Sequence, residues 1–126
     1  MADTYKPGLG DFMETLQYHH SKLWFAGKNE NWKLADFEIH ELMETVEDIE
    51  TFHAGRKDIE MINMIKPALD SVNNAIAQQN TDVFESSFSF LTNTCNQCHQ
   101  ATGYEFNRVK TPETSPFSNQ DFRPIE

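Results

Sequence analysis

Two cysteines and a histidine stand together near the C-terminal end of the chain, in the run Cys95-Asn96-Gln97-Cys98-His99. Two thiols at this spacing, followed at once by an imidazole, are typical of covalent haem attachment. The thiols add across the haem vinyl groups, and the adjacent imidazole reaches the iron. Cys95 and Cys98 are the only cysteines in the chain. The motif therefore predicts one covalent haem c, with His99 as the proximal iron ligand.

Three other uses of this motif are open at the level of sequence. A thioredoxin-like redox pair needs a strand-helix-strand context, which the sequence does not show. A zinc site needs a fourth ligand, and the adjacent Cys98 and His99 would ligate awkwardly from a regular helix. A disulfide between residues three apart on a helix would constrain almost nothing. Haem attachment is the preferred interpretation.

Four segments repeat their apolar residues every three or four positions, the spacing of an amphipathic helix. In the second segment, Ala35, Ile39 and Leu42 begin such a series. Pro67 lies within the third and should kink that helix or split off its first turns, because proline cannot donate the helical hydrogen bond. The predicted helices cover about residues 8–27, 31–54, 58–79 and 82–103, with Pro7 in the first turn, Gly27 just past the first helix and Thr81 as N-cap of the fourth.

Short connections between long helices place successive helices antiparallel. We therefore expect a single all-α domain, an up-down-up-down antiparallel four-helix bundle. Residues 104–126 contain three prolines and are predicted to form an extended C-terminal tail. Because the tail also holds Phe106, Phe117 and Phe122, we expect it to lie along the bundle.

The position of the motif in the chain indicates which class of c-type cytochrome the sequence resembles. In small cytochromes of the mitochondrial type the motif lies near the N-terminus and a methionine ligand follows it. Here 94 residues precede the motif, and the last methionine is Met64. Over about residues 8–103 the chain instead resembles class II cytochromes c, the cytochrome c′ group. Proteins of that group usually carry a basic residue a few positions after the axial histidine. This chain departs from the group, because the first basic residue after His99 is Arg108.

A second resemblance concerns the other axial ligand. An antiparallel first helix starting near Gly8 would bring Phe12 and Met13 to the level of His99. The run from Asp11 to Leu16 is similar to the start of the soluble b-type four-helix cytochrome, where a helix-one methionine and a helix-four histidine ligate the haem. That likeness implies axial ligation by Met13 and His99. Phe12 and Leu16 are predicted haem contacts because of their level along the first helix.

Two alternatives for the sixth position stay open. One is a pentacoordinate iron beside Phe12, Met13 and Leu16. The other is ligation by His20 or His19, although His20 lies about 10 Å further along the helix axis than Met13. A separate hypothesis is a second metal site between the first two helices, from His19, His20, His40 and His53 with Glu44, Glu47 and Glu50.

The formal net charge is −10, from 20 acidic and 10 basic residues. Nucleic acid is therefore a poor partner, whereas a redox protein with a basic docking surface would be attracted. No apolar run is long enough for a membrane span.

Covalent haem attachment takes place outside the bacterial cytoplasm, and Met1 to Thr4 show no signal peptide. We therefore expect a periplasmic protein whose export signal is absent here, with Met1 as a cloning start before a mature Ala2.

These observations predict a periplasmic monohaem cytochrome that carries single electrons and is not an enzyme, because no acid-base pair can be placed at the haem. The main alternative is a pentacoordinate binder or sensor of nitric oxide or carbon monoxide. A third class is a haem-free bundle that acts as an interaction module. The family resemblance also allows a homodimer, and Trp24, Phe25 and Trp32 could form its interface or instead cover the tail.

Overall fold

The computed structural model describes residues 8–125, and within this range the regular secondary structure is entirely helical, without a β-strand. The predicted first-turn residue Pro7 and the residues Met1 and Ala2 lie outside the described range. None of the helices in that range is long and apolar enough to cross a membrane. The elements are α1 (Leu9–Lys28), α2 (Trp32–Phe52), a 3₁₀ segment (Asp58–Ile65), α3 (Lys66–Gln78) and α4 (Thr81–Ala101).

The four α-helices pack on one another through a shared apolar core. α1 packs on α2, α2 on α3, α3 on α4, and α4 on α1. The series predicted for α2 is buried, because Ala35, Ile39, Leu42, Val46 and Ile49 are each at most 3% exposed. Burial of such a seam from each helix is what holds a bundle together.

The break in the third helical segment follows from Pro67. The segment predicted as one helix is divided into the 3₁₀ segment and α3, with Pro67 in the first turn of α3. Proline lacks an N–H and its ring clashes with the carbonyl four residues earlier, so the α-helix begins here and does not run through. The predicted splitting is confirmed.

Most predicted helix ends differ from the observed ones by one or two residues. Gly27 lies inside α1, which ends at Lys28, and a side chain at this position would overlap the packed ring of Phe84. Gly27 therefore allows close packing of α1 on α4 and does not mark the helix end. The N-cap of α4 is Asn80 and not Thr81, since the Asn80 side chain accepts a hydrogen bond from the Val83 N–H at 3.0 Å.

The residues after α4 form no helix or strand up to residue 125. Phe122 is buried, with its ring 5.5 Å from that of Phe25, and its carbonyl accepts a hydrogen bond from Asn31 Nδ2 at 3.3 Å. Phe106 and Ile125 are 80% and 99% exposed. Of the three residues considered for a dimer interface, Phe25 therefore packs against the tail, while Trp24 and Trp32 both contact the ring of Phe84.

Candidate functional site

A cavity of about 560 Å³ lies beside the Cys-x-x-Cys-His motif. Every helix, the 3₁₀ segment and the tail contribute to its walls. Its volume is in the range of about 300–1,000 Å³ that is usual for cofactor and small-molecule sites. Cys95, Cys98 and His99 line one side of the cavity, and Met13 of α1 also lines it. The structure thus brings the predicted attachment residues and the predicted second iron ligand to one space.

The two thiols are free and half-buried. Burial, with a smaller contribution from Cys98, raises the pKa of the Cys95 thiol to about 12. Burial and the negative charge of Asp58 also raise the pKa of Cys98. Both thiols are therefore neutral at pH 7. Redox-active Cys-x-x-Cys pairs instead depend on a lowered thiol pKa, so this environment does not favour the thioredoxin-like alternative.

The imidazole of His99 is held in one tautomer. Its Nδ1 lies 2.6 Å from the backbone carbonyl oxygen of Asn107. A carbonyl oxygen can only accept a hydrogen bond, so Nδ1 carries the proton and donates it. In the neutral ring, Nε2 then has a free lone pair. Histidines that bind metal commonly use this arrangement, with one nitrogen donating to a carbonyl and the other ligating.

A tight turn after α4 brings Asn107 back to His99. Gly103 has a φ of 87°, and the Tyr104 N–H donates to the His99 carbonyl at 2.6 Å. This is the Schellman pattern, which reverses the chain at the end of a helix. Asn96, one of the two variable residues of the motif, then exchanges two hydrogen bonds with the backbone of Val109.

The α1 side of the cavity combines apolar residues with three polar ones, Glu14, Gln17 and His20. Met13 and Leu16 line it together with His20, while Phe12 is not among the lining residues. Phe12 is buried in the core, where its ring stacks on Phe52 with centroids 5.9 Å apart. Because successive residues on a helix are rotated by about 100°, Phe12 and Met13 do not share a face. The predicted contact between Phe12 and a haem is therefore not supported, whereas Met13 and Leu16 are in position.

His20 is the buried polar residue of this side, and sequence reasoning gave it too little weight. It is 5% exposed, and its Nε2 lies 2.9 Å from Thr92 Oγ1. The Thr92 hydroxyl donates to the carbonyl of Phe88, so Nε2 of His20 is the donor to Thr92. Burial lowers the pKa of His20 to about 4. His20 is thus a neutral imidazole in the cavity wall, although its position in α1 made it a distant candidate.

The histidines proposed for a second metal site do not converge. His19 pairs with the buried Glu38 at 2.5 Å, and His40 contacts the backbone carbonyl of its own helix neighbour Asp36. His53 lies edge-on to Phe12, and His20 lines the cavity. Within residues 8–125, no group of three or more His, Cys, Asp or Glu residues is arranged to hold a metal ion.

A charged pair lies at the polar part of the cavity wall. Arg56 donates from Nε and Nη2 to the two carboxylate oxygens of Asp58, at 3.0 and 2.8 Å. The hydrogen bond to Asp58, its charge and the nearby Tyr104 raise the pKa of Arg56. Both residues and Tyr104 line the cavity. No spacing in the sequence indicates this pair, because Arg56 lies in the connection after α2 and Asp58 is the first residue of the 3₁₀ segment.

Comparison with models of known protein families, with curated proteins and with solved structures finds no match to this chain. What the site can do is therefore argued from its own residues.

Proposed function

We propose that this chain is a monohaem c-type cytochrome of the class II kind, an up-down-up-down bundle that carries single electrons in the periplasm. Cys95 and Cys98 would hold one haem c covalently, with His99 and Met13 as axial ligands. One observation carries the proposal: both thiols, an imidazole with a free Nε2 and a thioether line the same cavity. A haem bound there would supply a one-electron iron couple.

The lining of the cavity fits a flat, mainly apolar group. Leu42, Leu69 and Leu91 contribute aliphatic surface from three different helices, and Ile62 adds more from the 3₁₀ segment. These side chains would exclude water and lower the local dielectric, which disfavours the more highly charged oxidised iron. The protein thus contributes burial, axial ligands and orientation to the electron transfer.

Gas binding by a pentacoordinate iron is the second candidate function. The observation that favours it is that Leu16 and His20 line the cavity beside Met13. Leu16 is an aliphatic side chain that cannot ligate iron, so a haem facing it would keep an open sixth position. If the Met13 sulfur does not ligate, that space would admit nitric oxide or carbon monoxide. The two candidates share the attachment residues and differ only in the sixth position.

The partner is proposed from charge. A net charge of −10 would attract a redox protein with a basic surface and repel nucleic acid. Steering of this kind acts mainly on the association rate and weakens with salt. A homodimer remains a proposal from the family resemblance, although Phe25 is already occupied by the tail.

The test is production of the chain with an export signal in a bacterium that carries c-type cytochrome maturation machinery. We expect haem to remain on the polypeptide in a denaturing gel, one iron per chain. The double variant Cys95→Ala/Cys98→Ala should lose this haem completely, because no other cysteine is present to form the thioether bonds. Absence of covalent haem from the unmodified chain would refute the proposal and favour a haem-free interaction module.

The absorption spectrum then separates the two candidate functions. A low-spin spectrum with a weak far-red sulfur-to-iron band, unchanged by carbon monoxide, is expected for Met13 ligation and electron transfer. A high-spin reduced form that binds carbon monoxide at once would instead establish the gas-binding function.

A further inference from the structure

The backbone of residues 107–109, here termed the strap, runs back along the last turns of α4. Asn96 Nδ2 donates to the Val109 carbonyl at 2.8 Å, and the Val109 N–H donates to Asn96 Oδ1, also at 2.8 Å. The Asn96 carboxamide therefore pairs with the strap as a second peptide group would, using one donor and one acceptor. Both distances are those of well-formed N–H···O bonds.

The same strap carries the hydrogen-bond acceptor of the axial imidazole. Asn107, two residues before Val109, accepts the proton of His99 Nδ1 at 2.6 Å. Asn96 and His99 are three residues apart on α4 and so lie on neighbouring positions of one helix face. The strap consequently contacts both residues, at Val109 and at Asn107. The turn at Gly103 directs the chain back toward the strap, and the hydrogen bonds of Asn96 hold the strap at Val109.

We propose that Asn96 is a positioning residue for the axial ligand. By holding the strap, it keeps the Asn107 carbonyl on His99 Nδ1, which fixes the tautomer with Nε2 unprotonated and available to ligate. This inference rests on the proposed function, because it concerns the strength of His99 as an iron ligand. It also gives one variable position of the Cys-x-x-Cys-His motif a specific role in this chain.

The direction of the effect follows from the hydrogen bond. A ring that donates Nδ1–H to a carbonyl has more electron density at Nε2, and a more basic ligand stabilises oxidised iron over reduced iron. Loss of the strap contact should therefore raise the midpoint potential. Mutation of an outer-shell partner typically changes metal affinity or activity by about 10–100-fold, and we take the lower end for the one-electron equilibrium. A tenfold change in the one-electron equilibrium corresponds to about 59 mV.

The experiment compares Asn96→Ala and Asn96→Leu with Gln97→Ala in the haem-loaded full chain. Leucine keeps the approximate size of asparagine without either hydrogen bond, and Gln97 is the exposed neighbour in the same motif. We expect both Asn96 variants to keep covalent haem and helix content and to raise the midpoint potential by about 59 mV. In a Met13→Ala background, where the reduced iron would lack its sixth ligand, they should also lower the iron–histidine stretching frequency. Gln97→Ala should match the unmodified protein in all four measurements.

A second measurement does not depend on the variants folding normally. Hydrogen exchange of the Val109 amide in the unmodified protein should be slow, because its N–H is paired with Asn96. Fast exchange at Val109, or Asn96 variants with the potential and iron–histidine frequency of Gln97→Ala, would overturn the positioning role while leaving the haem proposal intact. Absence of covalent haem from the unmodified chain and Gln97→Ala alike would instead overturn both proposals.

Discussion

The α4 side and the α1 side of the cavity are built by different means. On the α4 side, His99 and Asn96 are each hydrogen-bonded to the returning tail, so polar contacts determine the orientation of the residues. On the α1 side, Met13 and Leu16 are half-buried apolar side chains placed by the packing of α1 on its neighbours. Hydrogen bonds select one geometry, whereas an apolar wall tolerates substitutions of similar volume. We therefore expect the α4 side to govern attachment and the α1 side to choose between electron transfer and gas binding.

The largest expected effect on this comparison comes from Met13→Ala. Removing the thioether should convert a low-spin haem that does not bind carbon monoxide into one that binds it, and should lower the midpoint potential. Leu16→Ala is the matched control, because it removes a neighbouring apolar group of the same wall that cannot ligate iron. Identical spectra in the unmodified protein and Met13→Ala would show that Met13 is not the sixth ligand.

A smaller effect is expected from the buried imidazole of the α1 side. Because the pKa of His20 falls to about 4 on folding, the unfolded chain binds a proton between pH 6.5 and pH 4 that the folded chain does not. The stability of the fold should therefore decrease as the pH falls through this window, by about 3 kcal/mol at most, and change no further from His20 below it.

Urea unfolding at pH 7, 5.5 and 4 measures this dependence, and His20→Gln should flatten it. His40→Gln provides the control, since His40 is an exposed histidine of α2. An equal pH dependence in the unmodified protein and His20→Gln would remove His20 as its source.

The smallest expected effect is on the α4 side, at the turn that brings back the strap. Gly103 has a φ of 87° with no atom near the position of a Cβ, so Gly103→Ala adds strain without a clash. The left-handed conformation should cost an alanine about 1 kcal/mol, measured by thermal or urea unfolding. Gly10→Ala is a control, because Gly10 lies in α1 with equal space and helical φ, where alanine is favoured over glycine. Equal stability changes in the two variants would mean that the turn needs no glycine.

Much of the fold could be predicted from spacing along the chain. Apolar periodicity located all four helices, and Pro67 placed the break before α3, because both depend on interactions within a few residues. The ends of helices were less predictable. Gly27 does not end α1, and a side chain there would overlap the ring of Phe84, which is distant in sequence. The up-down topology stays a prediction.

The candidate site was likewise predictable from the sequence only in part. The motif predicted Cys95, Cys98 and His99 as haem-binding residues. The expected level along the axis of α1 predicted Met13 as an iron ligand, and Met13 lines the same cavity. Phe12 was nominated by the same argument but faces Phe52, since a level along the axis does not specify rotation about it. The cavity also includes Arg56 and Asp58, at the junction of the α2 connection and the 3₁₀ segment, and no periodic signal predicts their pairing.

What residue types and their spacing settle in this protein is local: the helical segments, the proline break and the thiol-imidazole motif that predicts covalent haem. Each of these depends on neighbours within one or two helical turns. The tautomer of His99, the pairing of Asn96 with Val109 and the burial of His20 against Thr92 required the folded chain. Those features arise where the tail or another helix packs against α4. The geometry of these contacts is determined by the packing of the whole core.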